Sequence, residues 1–574
     1  MTLRVALATV HYDGPGAVFP RTECLGLGYL AAVLRRHGFQ AIIIDAQALE
    51  LDEASLSRRL LNAGAGVVGI SLSHATVDAA YRVFAAVKTR SPDTITLAGG
   101  HHATFAADEV LRECPHLDGV VRGEGEMVFL ELCRWIQGGS PDYSKIKGVW
   151  WKAGNSVIKN PDALPVPNLD ELPPPARDTL DALVLDNKEA TVALLTSRGC
   201  QGACSFCSSA AFHRLGGGRA WRAHSPDRVV RDMLHLARTY RLSPLRPLFV
   251  SDDDFIGPPP DGLERADGIA SALLSQRDRV WFECDARADA FCRSNRPVLR
   301  RLASAGLSSA FVGLESFSAA GLKRLGKGLS PRVNRRAIRE MDRLGILRPA
   351  VGYIMFHPWV RAGEIMQSAR LLARIGQLTA YSLLSQAQAF PGTPLRRRLA
   401  AEGLLRAKRH TDVTGYEFRD ASVGELVRTL EGLLEPRWRQ EVLELDMRSG
   451  SCWYRADLLW RALQQAGITT PSLAASRGQV AELRRRANEA NLRFLRALLR
   501  RGPDEPRIAL HQWWGTLYDI QEEAQLALCR LYEAADGALN EPATALDNSG
   551  GGSASEQTSS GGPGKPTGSR CRVS

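Results

Sequence analysis

The chain has 574 residues, of which 44% are hydrophobic and 24% charged, a composition typical of soluble globular proteins with several domains. It contains no apolar run of about 18 residues and no signal-peptide layout at its N-terminus, which excludes a membrane-spanning helix and argues against export. The formal net charge of +11 most simply reflects an arginine-rich surface, because no nucleic-acid-binding motif accompanies it. We therefore expect a cytoplasmic protein that binds neither nucleic acid nor membrane.

Strands and helices alternate over residues 1–140. An amphipathic helix is predicted at 26–37, and apolar runs predict strands at 4–10, 41–45, 67–71, 94–100 and 119–123. This order predicts a parallel, doubly wound sheet, which binds ligands at the carboxyl ends of its strands. The small and polar residues predicted at those ends are Ser71, Gly99, Gly100, His101, Gly123 and Glu124.

Residues 141–189 are predicted to form a connector. A β-hairpin is expected at 148–158, with its turn at Ala153-Gly154-Asn155, and the proline-rich stretch 172–178 is expected to be extended and stiff.

Residues 190–400 again repeat strand then helix. The predicted strands lie at 190–196, 248–255, 280–287, 309–316, 350–356 and 382–386. Six strands are too few for a closed eight-stranded barrel, so we predict a partial barrel that is open on one side. Active sites of such barrels lie at the carboxyl ends of the strands.

Three cysteines follow the first of these strands at a C-x3-C-x2-C spacing: Cys200, Cys204 and Cys207. Thiolate ligands select iron–sulfur clusters, zinc or copper(I). A structural zinc ion would lack its fourth ligand here, whereas three cysteines can hold three irons of a 4Fe–4S cube and leave the fourth iron open. None of the cysteines at 284, 292, 452, 529 and 571 is expected to be a cluster ligand, because only the first two are near each other and their gap is wider than the spacings of cluster loops.

The cysteine spacing, with Phe206 before the last cysteine, resembles the signature of the radical S-adenosylmethionine enzymes. The resemblance implies that the open iron binds S-adenosylmethionine, that an electron from a donor such as flavodoxin or ferredoxin cleaves it, and that a 5′-deoxyadenosyl radical results. It also implies contacts to this cofactor. Asp252 and Asp253 would lie near the methionine amino group, Arg287 near the carboxylate or ribose, Glu315 and Ser316 near the ribose, and the Phe206 backbone near the adenine. Lys327 is either part of this site or a surface lysine at a helix end.

The first domain resembles the cobalamin-binding domain that precedes many of these enzymes. The resemblance rests on the strings Gly-Gly-His-His-Ala-Thr at 99–104 and Arg-Gly-Glu-Gly-Glu at 122–126. The Asp-x-His-x-x-Gly motif that supplies a cobalt ligand elsewhere is absent, and the nearest string, 11–16, does not match it. We therefore predict that cobalamin binds without a protein histidine on cobalt. The alternative is a sheet that binds nothing and only supports the next domain.

The last part of the chain, 401–540, is predicted to be helical, and 541–574 to be a disordered tail rich in glycine, serine and proline. Tryptophan and tyrosine residues punctuate the helical part. They either pack the helices together or close the barrel mouth.

Together the two resemblances imply a cobalamin-dependent radical S-adenosylmethionine enzyme, expected to methylate an unactivated carbon of a small secondary-metabolite intermediate. Rearrangement, cyclisation or oxidation with the same cofactors is the first alternative. A non-catalytic cobalamin or cluster sensor is the second.

Overall fold

The structure is a computed structural model that describes residues 2–12, 21–139, 143–186, 190–500 and 505–540. The predicted disordered tail lies outside the described residues, as does most of the string at 11–16. Three parts follow one another along the chain: an α/β domain with its own sheet, an α/β partial barrel, and a set of long helices. The predicted fold class is therefore confirmed.

The first part contains a seven-stranded sheet. Its strands run in the order β3-β1-β4-β5-β6-β7-β8; those from β3 to β6 are parallel, whereas β7 and β8 are antiparallel. The elements of this part are β1 Arg4–Thr9, β2 Arg21–Thr22, α1 Leu25–Arg36, β3 Gln40–Asp45, α2 Ala46–Leu49, α3 Glu53–Asn62, β4 Val67–Ser71, α4 Val77–Arg90, β5 Ile95–Gly99, α5 Gly100–Phe105, α6 Ala107–Glu113, β6 Gly119–Val121, α7 Glu126–Gln137, β7 Val149–Ala153 and β8 Ser156–Lys159.

Helices cover both faces of this sheet, as the sequence predicts. Side chains along a strand point alternately to the two faces of the sheet. Leu7 packs with α1 and α7 on one face, whereas Ala6 and Ala8 pack with α3, α4 and α6 on the other. The hairpin β7–β8 differs from the prediction, because it extends the first sheet instead of belonging to a separate connector. Trp151 lies directly opposite Gly119, where any side chain would collide with the indole ring.

The second part contains a five-stranded parallel sheet in the order β10-β13-β14-β15-β16. Its elements are α8 Asp178–Leu185, β9 Ala190–Thr191, β10 Ala193–Leu194, β11 Ser197–Gly199, α9 Ser209–His213, β12 Trp221–Ala223, α10 Pro226–Thr239, β13 Leu248–Val250, α11 Asp261–Leu274, β14 Phe282–Arg287, α12 Arg296–Ala305, β15 Leu307–Glu315, α13 Ala319–Arg324, α14 Pro331–Leu344, β16 Val351–Tyr353, α15 Ala362–Arg374, α16 Ala380–Leu384 and α17 Pro394–Ala401.

The predicted strand at 382–386 is wrong: this segment forms α16, followed by an isolated parallel bridge between Phe356 and Gln386. The helix begins there because the Thr379 hydroxyl accepts a hydrogen bond from the Ser382 N–H, a typical N-cap. The apolar pattern of this short segment is equally compatible with a buried strand, which explains the error.

One strand pairing fastens the first part to the second. The predicted strand at 190–196 is divided, so that β9 pairs in parallel with β2 of the first part while β10 joins the barrel sheet. The proline-rich segment then lies against α1, where a side chain at Gly28 would come within 2.7 Å of the Ala176 carbonyl oxygen. A salt bridge of 2.6 Å between Arg35 and Asp178 closes the same contact.

Long helices form the third part: α18 Ala421–Leu433, α19 Pro436–Gln465, α20 Pro471–Arg500 and α21 Glu505–Asn540. Most of their aromatic residues pack the helices together, as in the stacked pair Trp513 and Phe494, whose rings are 4.0 Å apart. Tyr454 is different, because its hydroxyl donates to Glu283 on the inner face of β14 at 2.5 Å. None of the described helices has the length and apolar character needed to cross a membrane.

Candidate functional site

The three cysteines lie on the loop between β11 and α9, at the carboxyl end of the barrel sheet. Gly199, which precedes Cys200, has φ +86°, and a side chain there would collide with the Ala220 carbonyl oxygen. The Ser205 N–H donates to the Leu325 carbonyl oxygen at 2.8 Å, and the Ser205 carbonyl accepts from the Leu395 N–H at 2.8 Å. The loop is therefore held in a bent shape from both sides before any ligand binds.

The chemistry of the three thiols fits a metal cluster. All three are free and half-buried, and burial raises the pKa of each, that of Cys204 to about 11. A bound metal ionises such thiols directly. In the part of the chain that the structure describes, no three potential ligands converge on a single metal ion, whereas an iron–sulfur cube takes each cysteine at a separate corner. We propose that Cys200, Cys204 and Cys207 hold the 4Fe–4S cluster.

Two buried cations stand beside this loop. The Arg287 guanidinium contacts the Cys200 thiol and forms a two-pronged pair with Asp289, at 3.0 and 2.9 Å. A side chain at position 202 would displace this guanidinium, so glycine leaves Arg287 its place beside the loop. Lys327 is the second cation. Its place beside the cluster loop agrees with a cofactor site and shows that the surface alternative is wrong.

Lys327 is 7% exposed and pairs with Glu315 at 3.1 Å. Burial lowers the pKa of this lysine, but Glu315 and the Cys204 thiol outweigh it and raise the pKa above its ordinary value. Glu315 has φ +59°, a strained conformation for a non-glycine residue, and Gly313 leaves space for the ion pair. The roles of Arg287 and Glu315 toward S-adenosylmethionine stay predictions.

Asp252 does not belong to the cofactor site, and this prediction is wrong. The side chain is 2% exposed, and its oxygens accept from the Thr196 N–H at 2.6 Å, the Thr196 hydroxyl at 2.5 Å and the Ser197 hydroxyl at 2.7 Å. Burial raises the pKa of Asp252, which Arg265 opposes. Asp252 therefore fastens the segment before the cysteine loop to the end of β13.

We expect Asp252→Asn to lower the free energy of unfolding by about 1–3 kcal/mol, because at least one buried donor loses its acceptor. The affinity for S-adenosylmethionine should stay within about twofold of wild type, because the side chain faces away from the site. Chemical denaturation and equilibrium binding to the reconstituted protein check the two expectations. A large loss of affinity with unchanged stability would restore Asp252 to the site.

Asp253, the next residue, does face the site. One oxygen accepts from the Ser209 hydroxyl at 2.5 Å, and the other accepts from the Gly199 N–H at 3.1 Å and contacts His213 Nε2 at 3.4 Å. Burial raises the pKa of Asp253, but the hydrogen bonds from His213 and Ser209 hold it below its ordinary value. Its role near the methionine amino group stays a prediction.

Ser316 and Phe206 are placed differently from Asp253. The Ser316 hydroxyl is buried and accepts from the Ser318 N–H at 3.1 Å, so it shapes the start of α13, and its contact with ribose stays a prediction. The Phe206 ring packs in an apolar cluster with Trp359 and Leu395. The ring is therefore not available to the adenine, and the predicted contact would be made by the Phe206 backbone.

A cavity of about 460 Å³ lies between the carboxyl ends of the two sheets. The six predicted cobalamin residues all line it, together with barrel residues such as Ser251 and Asp253. Gly100, with φ +89°, lies so close to the Ser71 hydroxyl that a side chain would approach it to 2.9 Å. The glycines thus expose the backbone to a large ligand, which fits a corrin. The individual contacts of the six residues with cobalamin stay predictions.

The Glu124 carboxylate does not extend freely into this cavity. It pairs with Arg222, with Arg198 at 3.2 Å and with His213 Nδ1 at 3.2 Å, and it is 4% exposed. All three partners belong to the barrel. Although burial raises the pKa of Glu124, these cations hold it well below its ordinary value. The Glu124 side chain thus joins the two domains, and the predicted contact of this residue with cobalamin stays a prediction.

His213 bridges the two domains. Its Nδ1 faces Glu124 of the first domain, and its Nε2 faces Asp253 of the barrel. Burial lowers the pKa of this histidine, but the two carboxylates outweigh it, and the pKa is raised above its ordinary value of 6.5. The His213 imidazole thus connects the cobalamin side of the cavity with the cluster side.

We expect this bridge to stabilise the protein most at acidic to neutral pH. A raised pKa in the folded state adds stability below pH 6.5, and this contribution is lost as the pH rises through the folded-state value. The difference in melting temperature between wild type and His213→Gln should therefore be large at pH 6 and shrink toward pH 9. His235→Gln, on the exposed face of α10, is the matched control and should show no such trend.

The neighbouring histidines are held in different ways. The His101 ring stacks on Phe212 at 4.0 Å, and burial lowers its pKa to about 4, so it is neutral. His102 turns away from the cavity and contacts His410, with their ring nitrogens 2.8 Å apart. The absence of a histidine ligand on cobalt stays a prediction.

Sequence reasoning missed the barrel side of the domain junction: Arg198, Arg222 and His213. Of these three residues, Arg198 could have been noticed in the sequence, because it immediately precedes Gly199 and Cys200. The other two residues occur in stretches without a recognisable motif, and only the folded structure brings them to Glu124.

Comparison with known proteins agrees with this geometry. Residues 17–133 match the B12 binding domain and residues 194–372 match the Radical SAM superfamily. An uncharacterized methyltransferase of Pyrococcus horikoshii is 29% identical over 383 residues, which are 66% of this chain and 79% of that protein. An anaerobic magnesium-protoporphyrin IX monomethyl ester cyclase of Rubrivivax gelatinosus is 26% identical over 364 residues, 61% of this chain and 62% of that protein.

Among solved structures, the cobalamin-dependent S-adenosylmethionine radical enzyme OxsB, with aqua-cobalamin and S-adenosylmethionine bound, superposes with a TM-score of 0.69. The identity is 20%, and the match covers 94% of this chain and 81% of that one, so the likeness is one of fold. The chain belongs to the radical S-adenosylmethionine enzymes that carry a B12 binding domain ahead of the barrel. The predicted cofactors, a 4Fe–4S cluster, S-adenosylmethionine and cobalamin, are confirmed as those of this family.

Proposed function

We propose that the enzyme transfers a methyl group to an unactivated carbon of a small secondary-metabolite intermediate. The observation that carries the proposal is the cavity of about 460 Å³ between the sheets, which residues of both cofactor domains line. Bound cluster, S-adenosylmethionine and cobalamin supply radical generation and a transferable methyl group. A shared cavity lets both act on one substrate. The test of this arrangement needs no substrate, so it can be carried out before the metabolite is known.

The chain's own residues orient the reactants. Arg287 and Lys327 place positive charge beside the cysteine loop, where a carboxylate would bind. The inner face of the barrel continues below them with Asp285 and Phe311, which are neighbours in the strand register. Burial raises the pKa of Asp285 to about 7, and Phe311 is 39% exposed although it faces the barrel interior. This acidic and aromatic lining supports a substrate with a polar group next to an apolar skeleton.

The similarity to a protein named as a methyltransferase supports methyl transfer. The similarity to a cyclase that is named for a ring closure favours the alternative, a cyclisation with the same cofactors. The chain spans less than two thirds of the length of that cyclase, so neither name is carried over whole. We also propose that a small electron-transfer protein such as flavodoxin or ferredoxin supplies the reducing electron.

One incubation distinguishes methyl transfer from cyclisation. Anaerobically reconstituted enzyme is mixed with reductant and with S-adenosylmethionine that carries a CD3 group. Methyl transfer predicts S-adenosylhomocysteine together with 5′-deoxyadenosine, and the deuterium label on the extracted corrinoid. The cyclase alternative predicts 5′-deoxyadenosine without labelled corrinoid. The Cys204→Ala variant is the control for background chemistry of the reductant.

A further inference from the structure

A second cavity, of about 780 Å³, lies at the opposite end of the barrel from the cysteine loop. It is bounded by the segments that lead into β15 and β16 and by α19 and α20. Seven arginines and two aspartates are among its lining residues, and we call it the arginine cavity. Neither cofactor site reaches this end of the barrel.

Four of the seven arginines already have protein partners, and one of them, Arg343, pairs with Glu340 at 2.9 Å. Arg461 donates to the carbonyl oxygens of Ser308 at 2.6 Å and Gly345 at 2.9 Å. Arg348 pairs with Asp342 at 2.5 Å, and Arg484 pairs with Asp457 at 3.2 Å. These contacts use both aspartates of the cavity and hold α19 and α20 against the barrel.

The remaining charge is not balanced by the protein. The helices α12 and α14 both end at the cavity, and each carries about half a negative charge at its C-terminus. With the two aspartates and Glu340, which pairs with Arg343, included, an excess of about three positive charges remains. Burial lowers the pKa of Arg461 and of Arg484, and Nε of Arg348 is buried without a hydrogen-bond partner. A bound anion would relieve this concentration of positive charge.

The uncommitted arginines come from separate elements and meet at the cavity. Arg300 of α12 makes no hydrogen bond or ion pair within the described residues, and Arg279 makes one weak contact, at 3.4 Å to the Ser304 carbonyl. The Arg477 guanidinium of α20 lies 4.6 Å over the Trp460 ring. A guanidinium group can donate two parallel hydrogen bonds to two oxygens of one phosphate group. Several arginines at different positions therefore suit a ligand with several phosphates.

We propose that the arginine cavity binds a small molecule with two or more phosphate groups. The volume of about 780 Å³ lies within the range of small-molecule sites, which favours a small ligand over an acidic protein surface. The helix α19 lines the cavity and also carries Tyr454, which contacts Glu283 inside the barrel. A ligand in this cavity would therefore connect α19 and α20 with the segments that lead into β15 and β16.

Isothermal titration calorimetry on the full-length reconstituted protein tests the proposal, with inorganic pyrophosphate and ADP as probes. We expect saturable binding of both and a higher melting temperature in their presence. The double variant Arg300→Gln/Arg477→Gln should weaken binding by about tenfold or more, because two charge-assisted contacts are lost. The variant Arg293→Gln/Arg339→Gln removes the same charge from a neighbouring groove and should change the affinity by less than about twofold.

Four outcomes would overturn the proposal. The first is the absence of saturable binding of either probe, and the second is an equal loss of affinity in the two double variants, which would indicate a general charge effect. The third is binding of polyglutamate without binding of pyrophosphate, which would identify a surface for an acidic protein. Equal affinities for orthophosphate and pyrophosphate would show that a second phosphate is not recognised. None of these outcomes bears on methyl transfer at the other end of the barrel.

Discussion

A variant in which Cys200, Cys204 and Cys207 are all changed to alanine is expected to bind no cluster and to cleave no S-adenosylmethionine. Wild type should contain about four irons and four sulfides per chain after anaerobic reconstitution. The variant should lose nearly all of both, because no other set of three cysteines lies on one loop. Cobalamin binding should persist, since the cavity lining contains none of these cysteines. Iron and sulfide analysis and 5′-deoxyadenosine assay give the measurements.

The control replaces cysteines outside the loop. Cys284 is buried on the helix-facing side of β14, and Cys292 is half-buried with its sulfur 3.0 Å from the Ser294 hydroxyl. The double variant Cys284→Ala/Cys292→Ser should keep the iron content of wild type. Retention of about four irons in the triple alanine variant would contradict the assignment.

Changing Glu124 to alanine is expected to produce the second large effect, a loss of about 3–5 kcal/mol in the free energy of unfolding. The reason is that Arg198, Arg222 and His213 would remain buried without the carboxylate that joins them. The domain junction should loosen, and cobalamin should dissociate faster. Chemical denaturation and the rate of cobalamin release after dilution are the measurements.

The pH dependence distinguishes this account from a simple packing defect. A lowered carboxyl pKa adds stability above its ordinary value of 4.5, and this contribution is lost as the pH falls through the folded-state value. The gap in stability between wild type and Glu124→Ala should therefore narrow as the solution becomes more acidic than pH 4.5. Glu131→Ala on the exposed face of α7 should behave like wild type, and a pH-independent gap for Glu124→Ala would contradict the ionic role.

The larger part of the fold is predictable because buried parallel strands leave a clear signal. Runs such as residues 41–44 and 67–70 contain little except β-branched and small apolar residues, and the structure places both in strands. The hairpin β7–β8 illustrates what a local pattern cannot show: its turn is readable from Gly154-Asn155, but its sheet partner is not. The prediction of a strand at 382–386 is wrong because an N-cap residue outside the apolar run determines the conformation of this segment.

The cofactor site was predictable to the extent that its residues lie in recognisable strings. The three cysteines and the glycines at 99–100 and 123 are of this kind, and the structure places the glycines on one cavity. Asp252 and Asp253 are adjacent and chemically identical, so the sequence could not tell that the first faces the interior and the second the cavity. The barrel partners of Glu124 are 74, 89 and 98 residues away from it in sequence, and only the fold brings them together.

The parallel pairing of β2 with β9 has a consequence for how the holoenzyme is assembled. These strands are more than 160 residues apart, so the first domain is tied into the barrel by the backbone itself as well as by side chains. Hinge-like separation of the two domains would have to break this ladder. We therefore expect the two domains to stay paired both when cobalamin binds and when it dissociates.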